Sequence, residues 1–301
     1  MKLDLQKIRE LGNIELLARQ LVEGFITGLH KSPYHGFSVE FAEHKPYNTG
    51  ESTRDIDWKV YARTDKLFVK QYEEETNLRC NILIDNSTSM YYPTDDFGKI
   101  TFSITAAASL AYLLQKQRDA VGICTFSDKI ESQSPIKSTG SHLHKIFLSL
   151  EKILSVKQPP RKTSIPEVLH QIAGTVHKRS LIIIFSDMLD NEKKARDIFT
   201  ALHHLKHNKH EVLLFHVTEK TTEYDFEFAD RPHEFVDLET KERLKITPPQ
   251  IRDQYIRHIK EYVQELKMRC GQFKIDFIEA DIHQPVDKVL ISYLIKRKKM
   301  R

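Results

Sequence analysis

The sequence predicts an α/β protein on a doubly wound, mainly parallel sheet, with a helix and strands added ahead of it. Three observations carry that prediction. Short, nearly apolar runs recur from residue 79 onward, and segments of helical period separate them. Two of those runs stop abruptly at an acidic residue, at Ile84-Asp85 and at Phe185-Ser186-Asp187. Continuous apolar runs mark strands buried on both faces, and helices between consecutive strands mark parallel crossovers.

Residues 4 to 30 carry apolar side chains at Leu11, Ile14, Leu17, Leu21, Phe25 and Leu29, a spacing of three and four that predicts a helix. His30-Lys31-Ser32-Pro33 stops it. Phe37 to Phe41 alternates as a strand does, and Lys45 to Gly50 reads as a loop from its turn residues. Between Gly50 and Glu75, Glu51, Arg54, Asp55, Asp57, Arg63, Lys66 and Lys70 surround the single tryptophan, Trp58, which favours a structural ion-pair network. Leu67 to Tyr72 is a strand candidate. These pieces form an extension over residues 1–77, packed on a core domain over 78–301.

The core opens with a strand at 79–84. A helix follows from Gly98 to Gln117, then a strand from Ala120 to Phe126, with Ile130 to Ser132 as a short antiparallel partner. Helices are expected at 143–153, 165–176 and 191–205, with strands at 181–185 and 212–217. Residues 219–247 are polar and broken, with short strands near 235–238. Pro248-Pro249 opens a helix to about Met268, since proline suits a first turn. A strand at 273–278 and a helix at 286–296 close the chain.

Composition bounds the function. The 301 residues are 40% hydrophobic, enough for a real core, and the net charge of +4 is too slight to argue for nucleic acid. The basic excess is partly local, at Lys296, Arg297, Lys298, Lys299 and Arg301, and reads as a solvated helix end. His203, His204, His207 and His210 read the same way, as cations at the end of a helix. Cys80, Cys124 and Cys270 lie far apart in apolar surroundings and read as buried thiols of a reducing compartment. The N-terminus lacks a secretory apolar region and no run is long enough to span a bilayer, so a cytoplasmic protein is expected.

The chemistry gathers at strand ends. Asp85 is followed at spacings of two and four by Ser87 and Ser89, hard oxygen ligands suited to Mg²⁺ or Mn²⁺, with Ca²⁺ as a third candidate. In an open parallel sheet, ligands bind beyond the carboxyl ends of the strands at the switch point. If the two aspartate-ended strands are neighbours there, Asp187 faces the same crevice, and Thr163, opening a helix, adds a third hydroxyl. Taken singly, each residue has a plainer reading as a helix cap or turn former. Together, in this order, Asp85, Ser87, Ser89, Thr163 and Asp187 read as a metal site with one octahedral position open.

The set resembles the metal-ion-dependent adhesion site of von Willebrand factor A domains. Flanking residues resemble the domain-of-unknown-function family 58 (DUF58): Gly50-Glu51, Arg54, Ile56-Asp57-Trp58, Ala62-Arg63, Phe68-Val69-Lys70-Gln71, Glu75, Phe235 to Thr240, Ile251-Arg252 and Tyr255. The resemblance spans roughly residues 35 to 297. It implies a Rossmann-like sheet of the von Willebrand factor A type with a metal at its top, binding a carboxylate from a partner. It also implies a MoxR-type AAA+ ATPase as that partner, with this chain as adaptor or chaperone-like subunit. One departure stands out: Arg161 and Lys162 occupy places where many such domains have glycine, so Ser164 is an alternative to Thr163 as ligand.

An enzyme is the competing reading, because an aspartate at a strand end also suits a phosphoesterase. That chemistry needs a second acid two residues on, and Ser87 stands there. No glycine-rich phosphate loop and no Gly-x-Ser-x-Gly turn is present. The expectation is therefore a non-enzymatic, metal-dependent interaction module without nucleic-acid binding or a membrane span.

Overall fold

The computed structural model describes residues 13–29, 44–47, 58–70, 78–94, 98–155, 164–189, 195–238 and 241–291. In chain order the elements are α1 (Ile14–Leu29), β1 (His44–Pro46), α2 (Trp58–Thr64), β2 (Phe68–Lys70), β3 (Arg79–Asp85) and α3 (Gly98–Lys116). Then come β4 (Ala120–Phe126), β5 (Ile130–Gln133), α4 (Gly140–Ser155), α5 (Ile165–Thr175), β6 (Leu181–Ser186), α6 (Ala195–His207) and β7 (Glu211–Thr218). The antiparallel hairpin β8 (His233–Val236) and β9 (Arg243–Ile246), α7 (Arg252–Gln272), β10 (Asp276–Asp281) and α8 (286–291) complete the chain.

The six-stranded sheet has the order β10-β7-β6-β3-β4-β5, and only β5 runs antiparallel. This is the doubly wound, mainly parallel arrangement expected from the sequence. The chain adds strands on one side of β3, then returns to build β6 on the other. The switch point therefore lies between β3 and β6, where Ile84 pairs with Phe185.

Alternation along the strands fills both faces. Ile82, Ile84, Ile183, Phe185, Leu213 and Phe215 face α1, α3, α4 and α8, and the Phe185 and Phe215 rings stack at 4.6 Å. Leu83, Ile182, Ile184, Val212 and Leu214 face α5, α6 and α7. α3 is buried almost throughout, because Ala106, Ala107, Ala108 and Ala111 allow close approach on several sides at once. α1 packs beside it through Ile14, Leu17 and Leu21, and the Ile14 amide donates to Glu151 Oε1 on α4 at 2.9 Å.

Residues 1–31 and 78–301 form one compact unit, and 32–77 form a second. The helix α1 thus belongs with the sheet, and the sequence division at 77/78 marks only the far edge of the smaller unit. Within that unit, β1 pairs antiparallel with β2. The loop expected from Lys45 onward begins later than the sequence suggested. Pro46 is tolerated because it ends its strand, and β1 is paired on one side only. The helix α2 was not expected. Trp58 meets Tyr61 edge-on within it, at 6.1 Å between ring centres. The strand expected at 37–41, and Glu51, Arg54, Asp55 and Asp57 of the expected ion-pair network, lie outside the described residues.

The last strand falls at 276–281 rather than 273–278. α7 continues to Gln272, and Lys274 takes a positive φ of 55°, so the chain needs three more residues to enter the sheet. The histidine cluster also differs from expectation. His210 is buried, its Nδ1 accepting from the Ser180 amide at 3.3 Å, and His204 Nδ1 lies 2.9 Å from His170 Nδ1 on α5. Lys296 to Arg301 lie outside the described residues.

Gly98 opens α3 with φ +61°, and a Cβ there would come within 2.8 Å of the Tyr91 carbonyl carbon. A side chain meets both a left-handed backbone and a backbone clash. Gly98→Ala is expected to cost about 1–3 kcal/mol, read as a lower urea midpoint at unchanged slope.

Candidate metal centre at the sheet switch point

β3 and β6 deliver their last residues side by side. Asp85 is fully buried, and both of its oxygens accept hydrogen bonds: Oδ1 from the Ser87 amide at 3.0 Å, Oδ2 from the Ser186 hydroxyl at 2.7 Å. The first is an Asx turn that folds Ser87 back over the strand end. Ser186 Oγ in turn accepts from the Met188 amide at 2.9 Å, while Asp187 Oδ1 accepts from the Leu189 amide at 3.1 Å. After the Lys99 ammonium and the Leu189 amide, Ser89 also helps hold the Asp187 carboxyl below its ordinary value. The Ser87 and Ser89 hydroxyl oxygens are 3.1 Å apart. Four of the five residues read from the sequence therefore converge. The fifth, Thr163, lies outside the described residues, as do Arg161 and Lys162. Ser164 begins α5, its amide donating to the Ser127 carbonyl at 3.2 Å and its hydroxyl to Glu167.

The two aspartates sit in opposite electrostatic situations. Burial, reinforced by the neighbouring Asp187 charge, pushes the Asp85 carboxyl up to about 7. Burial acts on Asp187 as well, but the Lys99 ammonium overcomes it and holds that carboxyl below its ordinary value. Lys99 Nζ donates to Asp187 Oδ2 at 2.8 Å and also to Glu223 Oε1, and its own side chain is fully buried. Burial alone would lower the lysine, yet the two carboxylates hold it above its usual value.

Sequence reasoning missed Lys99, Glu223 and the hydroxyl of Ser186. One signal was available for the first. A lysine in the first turn of a helix opposes the helix dipole, and Lys99 opens a helix whose other early residues are small or apolar. Such a cation needs an acidic partner. Glu223 offered no comparable signal, because it sits in a polar stretch with no strand or amphipathic helix period. It lies instead in a tight turn over 220–224, where the Glu219 carboxylate accepts from the Thr222 amide at 2.6 Å.

Among the described residues no three His, Cys, Asp or Glu side chains converge to hold a metal, and a cation here would be held by carboxylate and hydroxyl oxygens together. The hydroxyl pair suits one. Two neighbouring oxygens around an octahedral Mg²⁺ lie about 3.0 Å apart, given bonds of about 2.1 Å, whereas the longer Ca²⁺ bonds call for about 3.4 Å. The two hydroxyls are hydrogen-bonded to each other at 3.1 Å, a separation that neighbouring ligands of an octahedral Mg²⁺ could keep. A fully buried carboxylate beside the charge of a second points the same way.

Comparison with known proteins gives a family and a fold likeness. A family model described as "Protein of unknown function DUF58" matches residues 43–265. Two curated relatives, "Uncharacterized protein Rv1480" of Mycobacterium tuberculosis and "Uncharacterized protein Mb1516" of Mycobacterium bovis, are each 24% identical over 181 residues. That match covers 60% of this chain and 56% of theirs, so it spans little more than half the length of those relatives. Among solved structures, the conserved hypothetical protein BatB from Bacteroides thetaiotaomicron is similar at 15% identity and TM-score 0.43, over 74% of this chain and 99% of that one. The SpRpn10 VWA domain is similar at 13% identity and TM-score 0.38, over 71% and 94% respectively.

Proposed function

Because this chain belongs to the family described as protein of unknown function DUF58, we propose that it is a non-enzymatic interaction module that captures an acidic side chain of another protein. The capture site is the oxygen cluster of Asp85, Ser87, Ser89 and Asp187, with Thr163 completing it, and the ion is Mg²⁺ or Mn²⁺. The single observation that carries this reading is the juxtaposition of two serine hydroxyls 3.1 Å apart beside a fully buried, incompletely neutralised Asp85. A divalent cation held there supplies a coordination position that a carboxylate from a partner can fill.

The chain's own residues favour binding over catalysis. The Ser87 amide and the Ser186 hydroxyl fix the Asp85 carboxylate in one orientation. Two residues after Asp85, where a proton donor would be needed, stands a serine whose amide caps the aspartate. Ser87 and Ser89 present neutral oxygens, so a bound ion is neutralised less than an all-carboxylate ligand set would neutralise it and can still attract an incoming acid.

The partner proposed is a MoxR-type AAA+ ATPase, as the resemblance implies, with this chain as its adaptor in the cytoplasm. The three cysteines are buried, which suits a reducing compartment. Among the described residues no helix is long and apolar enough to cross a membrane. The test is co-purification of such an ATPase with the tagged full chain and with Ser87→Ala/Ser89→Ala. A serine variant is preferable to a chelator alone, because the ATPase itself needs Mg²⁺. At least tenfold less ATPase is expected on the variant; equal recovery at an unchanged melting temperature contradicts metal-bridged capture.

A further inference from the structure

Lys99 is one of the largest fully buried side chains among the described residues. Its ammonium lies between carboxylates from two separate loops, Asp187 after β6 and Glu223 in the turn after β7. It is anchored from a third, since Gly98 turns the chain into α3 and the Lys99 amide donates to the Tyr92 carbonyl at 3.0 Å. The same loops are stitched further out: Tyr92 donates its hydroxyl to Thr222 Oγ1 at 2.7 Å, and Glu223 Oε2 accepts from the Glu219 amide at 2.8 Å.

We propose that Lys99 is a built-in countercation, a positioning residue that keeps the three loops of the site assembled when no divalent ion is bound and holds ion affinity down. The second part of this inference rests on the metal reading above. The first does not.

The charge balance argues for both parts. Asp85, Asp187 and Glu223 are three buried or mostly buried carboxylates, and one ammonium leaves two negative charges among them. That is the charge of one divalent cation. Without Lys99, Asp187 and Glu223 lose their cation while staying buried, and removing one partner of such a pair is strongly destabilising. A divalent ion would then meet more uncompensated charge and bind more tightly. A residue that only fills space would lower stability without tightening ion binding.

The test compares wild type, Lys99→Met and Lys99→Met/Glu223→Gln as full-length protein, by melting temperature in chelator and by Mn²⁺ titration. Lys99→Met keeps the apolar stem. It is expected to melt at least 5 °C lower without metal, and to bind Mn²⁺ at least tenfold more tightly. Glu223→Gln removes one of the stranded charges, so the double variant should recover part of the melting temperature and return toward wild-type affinity. If Lys99→Met does not fold, the double variant carries the comparison alone, and a metal-free melting temperature below wild type with affinity at or above it supports the proposal. For Lys99→Met, an unchanged metal-free melting temperature, or Mn²⁺ affinity equal to or weaker than wild type, overturns it; for the double variant, a metal-free melting temperature at or above wild type, or affinity weaker than wild type, does so. Absence of saturable Mn²⁺ binding in all three proteins sinks the metal reading and with it the affinity role; the melting temperatures then decide the assembly role by themselves.

Discussion

Asp85→Asn is expected to make the metal-free protein more stable while removing its Mg²⁺ binding. The substitution keeps the shape and the acceptor that meets the Ser87 amide, and it deletes a charge that is fully buried and faces Asp187. Lys99 does not relieve that charge, because its ammonium is committed to Asp187 and Glu223. The sign follows from proton linkage. The folded protein holds the Asp85 proton up to about 7, against 3.8 for an ordinary aspartate, so the folded state binds more protons between those values. Stability of the metal-free wild type therefore falls as pH rises through that window, and the full penalty applies above about 7. The substituted amide cannot titrate. A gain of about 1–3 kcal/mol over wild type is expected at pH 8, shrinking toward zero at pH 4. Chelator-treated melting curves across that range check it, and an aspartate that stabilises the metal-free fold at pH 8 would contradict it. A gain in stability on loss of a residue is the mark of a group retained for function.

Asp187→Asn is expected to do the opposite. Asp187 is the carboxylate that the Lys99 ammonium meets at 2.8 Å with both side chains fully buried. Removing its charge strands the ammonium on Glu223 alone, a carboxylate that burial already pushes above its ordinary value. Loss of one partner of a buried pair costs about 3–5 kcal/mol, several times the effect of a surface change. Denaturant unfolding in chelator measures it. Two aspartates one strand apart, both counted as equivalent ligands on sequence grounds, are thus set apart by the direction of their effect on the metal-free fold. If both substitutions destabilise alike, the electrostatic asymmetry of the site is wrong.

The sequence announced the sheet and its switch point because both are written in sustained patterns. The runs at 82–84 and 181–185 are apolar on both faces, and only strands covered by helices on each side need that. The aspartates that end those runs are conspicuous for the same reason. The short elements were harder to see. β1 includes a proline and α2 begins at a tryptophan within a charged stretch, so local composition argued against both. β10 slid by three residues because Phe273 to Ile278 is apolar enough to mimic a strand, while the extra turn of α7 is set by tertiary packing of Cys270 and Ile275 against β7 and α6. In the site, hydroxyl and carboxylate spacing was legible because it is local. Lys99 and Glu223 are 124 residues apart, and no local pattern pairs them.

Asp85, Ser87, Ser89 and Asp187 are proposed to hold a divalent cation. Calorimetric titration of the full chain with Mg²⁺ at pH 8 tests it most directly, beside Asp85→Asn under the same conditions. Saturable uptake of one ion per chain is expected of the wild type and none of the variant, at a variant melting temperature no lower than wild type in chelator. Lack of saturable uptake by the wild type, or equal uptake by Asp85→Asn, contradicts it.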